Sequence, residues 1–174
     1  YKSILFLFLK KKKMKKIIYF LLIVLVISAC GNSKASEKEK TNKTEQKSED
    51  ELSTNIIINS NDTMKFDKKI LLVPAGKKIT LTLNHTGKFP KVGMGHNFVL
   101  LKADTNVSEF AEKAAMARKT DYIPEGDQTI AYTKLLGGGE SDTIIFEAPK
   151  KGYYTFLCTF PGHWQLMRGK LIVK

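Results

Sequence analysis

Residues 52–174 are predicted to form an all-β domain, a Greek-key sandwich or barrel of about eight strands with one short helical insertion. Three observations carry that expectation. Short apolar runs recur through this stretch, several rich in β-branched or aromatic residues. Turn signals separate them. Only one stretch places its apolar residues at helical spacing.

Asn55–Asn59 is the first apolar run, and Ile70–Val73 the second, stopped by the turn signal Pro74-Ala75-Gly76. Lys77–Leu83 alternates strictly, with Ile79, Leu81 and Leu83 on one face and Thr80 and Thr82 on the other, the pattern of a half-buried strand. Asn97–Leu101 follows. Val107–Arg118 breaks the pattern: Val107, Phe110, Ala114 and Ala117 recur at helical spacing, Asn106 is an N-cap, and Glu109 is its capping-box partner. Met116 is expected to pack. Gln128–Tyr132, Asp142–Phe146, Tyr153–Cys158 and Gly169–Val173 complete the strands. Gly137-Gly138-Gly139 is expected to be a hairpin turn. It lacks the lysine and the strand–helix context of a phosphate loop.

The chain has 174 residues, with 29 Lys and Arg against 17 Asp and Glu, a formal charge of +12. Charge of that size points to nucleic acid or an anionic membrane unless it is localised. It is localised. Residues 1–29 hold seven lysines and no acid. Met14-Lys15-Lys16 is a short basic start, and Ile17–Ala29 is an apolar run too short for a comfortable membrane span. Ile27-Ser28-Ala29-Cys30 resembles a bacterial lipobox, whose cysteine becomes the lipid-modified first residue; an anchor helix or a core helix is the plainer alternative. Residues 1–29 are therefore expected to be a signal peptide, with Tyr1–Lys13 read as upstream translation and Met14 as the start. Cys30 is the expected lipidation site. Residues 30–51 are polar and rich in lysine and glutamate, the composition of a disordered tether. Without the signal the nucleic-acid reading loses its basis. Gly31 is not the aspartate that retains many lipoproteins in the inner membrane, so a periplasmic or outer-membrane location is expected, with the lipid as the membrane contact.

The chemistry gathers near the C-terminus. Cys158-Thr159-Phe160-Pro161-Gly162-His163-Trp164-Gln165-Leu166-Met167 contains Cys-x4-His-x3-Met on one loop between adjacent strands. Upstream, Gly95-His96-Asn97 precedes another strand. One thiolate, two imidazoles and one thioether are the donor set of blue-copper centres: two histidines and a cysteine in a plane, with a weak axial methionine. Zinc is possible on affinity, but structural zinc prefers four strong ligands without a thioether. A cysteine hydrolase needs a base and a cleft that a single tight loop does not supply. Cys158 alone reads as a small buried residue, and Met167 alone as core.

At these residues the sequence resembles the azurins, a cupredoxin family, over most of 53–174. Cys158 to Gly169 (CTFPGHWQLMRG) is the most specific piece. Asn61-Asp62-Thr63-Met64, Asn84-His85-Thr86-Gly87, Met94-Gly95-His96-Asn97 and Thr133-Lys134-Leu135-Leu136-Gly137 also match. The resemblance implies a cupredoxin fold and one type 1 copper. His96, Cys158 and His163 would be equatorial ligands, Met167 axial, and the Gly95 carbonyl would approach from the opposite side. Backbone N–H groups of Asn97 and Phe160 would bond the Cys158 sulfur and tune the potential. His85, a non-ligand by this likeness, is expected to be packed or partly exposed, with no site role. Two departures stand out. The positions of the usual azurin disulfide hold Thr54 and Gly76, and Phe98 stands where a buried tryptophan is frequent.

The implied function is one-electron transfer between redox proteins, with no enzymatic step. The exit route is the His163 ring edge within an apolar docking patch of Met94, Phe89, Pro90, Phe160, Pro161 and Gly162, enlarged by Trp164. Ordinary loop packing accounts for Phe89 and Trp164 individually about as well. Family likeness points to c-type cytochromes or a terminal reductase as partners of a monomer. The alternative is a lipoprotein that scavenges or delivers copper. Such proteins often use Met- or His-rich sites, and this chain has no such tract.

Overall fold

The computed structural model describes residues 51–174. The signal peptide, Cys30 and the tether expected from the sequence lie outside the described residues. Within them, nine strands run in chain order: β1 (Asn55–Asn61), β2 (Lys65–Phe66), β3 (Ile70–Val73), β4 (Lys78–His85), β5 (Val99–Leu101), β6 (Thr129–Tyr132), β7 (Ser141–Glu147), β8 (Gly152–Leu157) and β9 (Arg168–Val173). Two helices interrupt them, α1 (Lys91–Met94) and α2 (Val107–Met116), the second followed by a 3-10 turn at Arg118–Thr120. All eight expected strands form. The two-residue β2 and the single-turn α1 are too short to leave a periodic signal.

The strands make two sheets, ordered β2-β1-β4-β7 and β3-β9-β8-β5-β6. β1 lies parallel to β4 and β3 parallel to β9, while the other pairs are antiparallel. The alternation read from β4 holds: Ile79, Leu81 and Leu83 are fully buried, and His85 continues the inward face. Ile56, Ile58 and Ser60 do the same on β1. Opposite them, Phe98, Leu100, Phe156, Leu171 and Val173 complete the core between the sheets. Burying a side chain of this size stabilises by about 1.5–3 kcal/mol relative to exposure. Phe98 stacks on Phe156 with ring centroids 5.0 Å apart, and Phe156 in turn meets Phe66 at 5.7 Å.

β5 does not alternate because both of its faces are covered. Leu100 faces the main core. Val99 and Leu101 point outward to a second cluster with Leu157 and the α2 residues Phe110, Ala111 and Ala114. The Asn106 side chain caps α2 by accepting from the Glu109 N–H at 3.3 Å. The expected reciprocal bond of a capping box is replaced: the Glu109 carboxylate accepts from Lys113, one turn on, at 2.8 Å. Met116 is 86% exposed rather than packed, since it falls on the face of α2 turned away from the sheet. The three glycines at 137–139 are not a hairpin turn either. They link β6 in one sheet to β7 in the other, with a tight turn closed by Glu140 N–H to Gly137 O at 3.1 Å. At the other end, Gly76 adopts φ +63° after the Pro74-Ala75 turn, a conformation a cysteine would hold only under strain.

Replacing Phe110 with Ala should unseat α2 from β5 and lower the unfolding free energy by about 3–5 kcal/mol in chemical denaturation. A loss under ~1 kcal/mol would mean that α2 contributes little to the fold.

Candidate metal centre

Two loops at one end of the sandwich bring the predicted ligands together. The first is 158–167. β8 and β9 pair up to Leu157 and Arg168, and the ladder continues by one bond, Cys158 N–H to Met167 O at 2.9 Å. This bond closes the loop at its base. Within it, Met167 N–H donates to His163 O at 2.8 Å and His163 N–H to Phe160 O at 3.0 Å, so the chain coils back on itself. Gly162, at φ +82°, supplies the left-handed residue that the coil needs just before His163. The second segment carries His96, whose backbone makes a paired bridge to Leu136 at 2.9 and 2.8 Å.

Cys158 Sγ then lies 3.9 Å from His96 Nδ1 and 3.7 Å from His163 Nδ1, and all three residues are buried. The Gly95 carbonyl is also 3.9 Å from the sulfur. Gly95 must be glycine, because a Cβ there would lie 2.7 Å from the Lys91 carbonyl. Met167 is fully buried in the same core cluster as Cys158.

The protonation states suit a metal. His96 Nε2 is 3.0 Å from the Asn61 carbonyl, so that nitrogen carries the proton and Nδ1 is left with its lone pair toward the sulfur. Burial, with His85 adding to it, lowers the His96 and His163 pKa values to about 4, keeping both rings neutral. Burial pushes the Cys158 thiol up to about 12, opposed by the backbone N–H groups of Asn97 and Phe160. A bound cation would offset that burial and hold the sulfur as thiolate. The separations fit an ion as well. Three ligands about 2.0–2.3 Å from a metal and coplanar with it give N to S edges of roughly 3.7 Å, against about 3.5 Å for a tetrahedral array. The observed edges of 3.7 and 3.9 Å are of the size that one ion shared by the sulfur and both nitrogens would need.

Side chains beside the ligands hold this arrangement. Asn97, next to His96, and Thr159, next to Cys158, bond to each other twice: Asn97 Nδ2 to Thr159 Oγ1 at 2.7 Å and Thr159 N–H to Asn97 Oδ1 at 2.8 Å. His85 is buried and stacks on His96 at 4.3 Å. It accepts from the Gly87 N–H at Nδ1 and so donates from Nε2 to the Met94 carbonyl at 2.9 Å. Asp62 anchors the loop beyond it by accepting from the Lys88 and Phe89 N–H groups. Sequence reasoning gave none of Asp62, His85, Asn61 and Thr159 a role at the site. The adjacency of Asn97 and Thr159 to ligands was the available signal; nothing local marks Asn61. Around the rim, Phe89, Pro90, Pro161 and Gly162 are exposed and Met94 and Phe160 half-buried. Trp164 turns to the second core cluster, where Arg168 lies over its ring.

A buried thiol between two neutral imidazoles, at the end of a two-sheet Greek-key domain, defines a copper protein of the cupredoxin class. The chain belongs to the plastocyanin/azurin family of copper binding proteins, whose model matches residues 51–174. It is 39% identical over 121 residues to azurin of Alcaligenes faecalis, covering 67% of this chain and 94% of that protein. It is 44% identical over 118 residues to outer membrane protein H.8 of Neisseria gonorrhoeae, covering 66% of this chain and 64% of the other. Among solved structures, dithionite-reduced auracyanin from Roseiflexus castenholzii superposes with a TM-score of 0.66 at 38% identity, over 71% of this chain and 99% of that one. Copper is the cofactor, and His96, Cys158 and His163 form its site.

The neutral histidines set a pH dependence for the metal-free domain. Between an unfolded pKa near 6.5 and the folded value of about 4, the unfolded chain binds protons that the folded chain does not. Stability therefore rises with pH across this window and is lost as pH falls from about 6.5 to about 4. Melting temperature measured without copper should drop through that interval, and less so in His163→Gln. A flat profile would contradict the buried neutral state.

Proposed function

We propose that the protein carries single electrons between redox proteins of the bacterial cell envelope. The observation that supports this best is the ligand triangle: two uncharged imidazole nitrogens 3.7 and 3.9 Å from one buried sulfur, held in place by the protein alone. Copper, when bound, supplies a one-electron couple between its cuprous and cupric states. In this reading His96, Cys158 and His163 would hold the copper, and Met167 and the Gly95 carbonyl would add weaker contacts to it. The polypeptide excludes water from the site, keeps both Nδ1 lone pairs aimed inward and directs the Asn97 and Phe160 N–H groups toward the sulfur. Ligands already in position need little rearrangement when charge changes. His163 is the ligand nearest solvent, at 4% exposed against none for His96 and Cys158, and it sits among the exposed Pro161 and Gly162. With Met94, Phe89, Pro90 and Phe160 these residues form an apolar docking patch, of the kind that suits brief encounters. Trp164, half-buried with Arg168 over its ring, would extend the patch on the far side of His163.

A lipobox ending at Cys30 and likeness to a protein named as an outer membrane protein support the envelope location. Cys30 would carry the lipid, residues 31–51 would tether the copper domain, and c-type cytochromes or a terminal reductase are the partners that family likeness favours. A tether of roughly 20 residues spans about 25 Å on average, so the domain would work close to the membrane.

Cupric copper added to the protein should produce an intense visible thiolate-to-copper charge-transfer band. Cys158→Ser should abolish the band. Met167→Leu should keep it while moving the reduction potential, measured by voltammetry; loss of copper binding would refute the axial role. In cells, Cys30→Ala should move the protein from the membrane fraction to the soluble fraction, and unchanged partition would reject the lipid anchor.

A further inference from the structure

A groove of about 180 Å³ opens beside the metal centre, lined by Lys91, Val92, Arg118, Asp121, Tyr122 and Phe160, among others. A row of rings connects it to the site. Tyr122 meets Phe160 edge-on at 5.3 Å, and Phe160 meets the His163 ring at 4.7 Å. The groove is fastened to the ligand scaffold. Asn97, next to His96, donates to the Asp121 carbonyl at 3.4 Å. Asp121 and Tyr122 both hold left-handed backbone, at φ +53° and +65°, a conformation that is strained for non-glycine residues. Tyr122 is kept in place by its N–H to the Ala117 carbonyl at 2.9 Å.

The charges at the rim are unbalanced. Among the described residues, neither Lys91 nor Arg118 has a carboxylate within 4.0 Å, and both are exposed. Lys119 follows Arg118 on the same 3-10 turn, and Lys88 precedes Lys91 on the loop. Asp121 is the one carboxylate lining the groove. Asp62, the acid nearest Lys88 on that side, has its oxygens occupied by the Lys88 and Phe89 N–H groups. Exposed Val92 and half-buried Tyr122 give the floor and wall apolar and aromatic surface. Free cations around an apolar floor beside a redox centre complement a surface that carries carboxylates around an apolar centre.

We propose that the groove bounded by Lys91, Arg118, Tyr122 and Phe160 docks the acidic surface of a protein redox partner, placing it against the ring row that leads to His163. The inference rests on the electron-transfer reading above and adds the partner's charge and its contact face. Steering of this kind accelerates encounter about 10- to 1000-fold at low salt and is screened as salt rises.

The test uses the full chain and two anionic probes. Oxidation of the cuprous protein by hexacyanoferrate(III) should slow as salt is raised, whereas oxidation by the cationic tris(phenanthroline)cobalt(III) should quicken. Lys91→Glu with Arg118→Glu should slow the hexacyanoferrate reaction at low salt about tenfold or more and flatten its salt dependence. Lys91→Arg with Arg118→Lys should restore it. Lys150→Glu with Lys151→Glu makes the same change of net charge in the turn before β8, at the far end of the strand that leads to Cys158, and should have a much smaller effect. Independently of electron flow, redox-inert hexacyanocobaltate(III) should shift the amide NMR signals of Lys91, Arg118 and Tyr122 in the copper-free chain. Those shifts should vanish in the Lys91→Glu, Arg118→Glu variant. Equal slowing by both charge-reversal pairs, or shifts mapped elsewhere, would overturn the docking site. So would unchanged electron exchange together with lost binding to phosphatidylglycerol vesicles, which would assign the face to the membrane. Absence of electron exchange in every variant, with the anion shifts intact, would sink the electron-transfer reading and with it the claim that the docked anion belongs to a redox partner.

Discussion

Two hydrogen bonds between Asn97 and Thr159 fasten the segment that carries His96 to the loop that carries Cys158 and His163. These segments are about sixty residues apart in the chain, and without a fixed link each would move with its own loop. The link is buried, between the start of β5 and the end of β8, which are neighbours in one sheet. A buried amide must be bonded, and the alternative to this pair is an unsatisfied polar group costing about 1–3 kcal/mol. The same side chain reaches Asp121, so a change at Asn97 would be felt at the ligands and at the groove together.

The site is rigid because its polar groups have little choice. Asn61 takes the outer nitrogen of His96, Gly87 and Met94 fix the tautomer of His85, and His85 lies flat against His96. Each of these contacts serves the fold before any metal arrives. A scaffold that sets donor positions in advance leaves the ion few ways to rearrange around itself, which is the property that a carrier of single electrons needs. The cost is a thiol and two imidazoles held away from water, which the core around Phe98, Leu136 and Met167 makes tolerable by excluding competitors for their hydrogen bonds.

Much of this was legible in the chain. Strand alternation in Lys78–His85 and the turn at Pro74-Ala75-Gly76 carry local signals, because half-buried strands and proline–glycine turns are decided by neighbouring residues. Cys-x4-His-x3-Met was legible because Cys158, His163 and Met167 sit on one loop. What was not legible depended on distant partners. Met116 is a long apolar side chain of the kind that packs, yet it lies on the outer side of α2 because the seat of the helix on Val99 and Leu101 sets which face turns inward. Gly137–Gly139 has hairpin composition, but its flanking strands belong to different sheets. His85 looks like an ordinary strand-end histidine until the fold lays His96 over it.

The sequence by itself determined eight of the nine strands, the helix cap at Asn106 and the donor types at 96, 158 and 163, since each is carried by a short local pattern. Tertiary structure alone decided which imidazole nitrogen faces the sulfur, that His85 and Asp62 brace the loops, and that Trp164 is drawn under Arg168. It also decided that Lys91, Tyr122 and Phe160, from three separate segments, share one groove. Such arrangements follow from the packing of two sheets against each other, and sequence spacing carries no record of which side chains that packing will bring within a few ångströms.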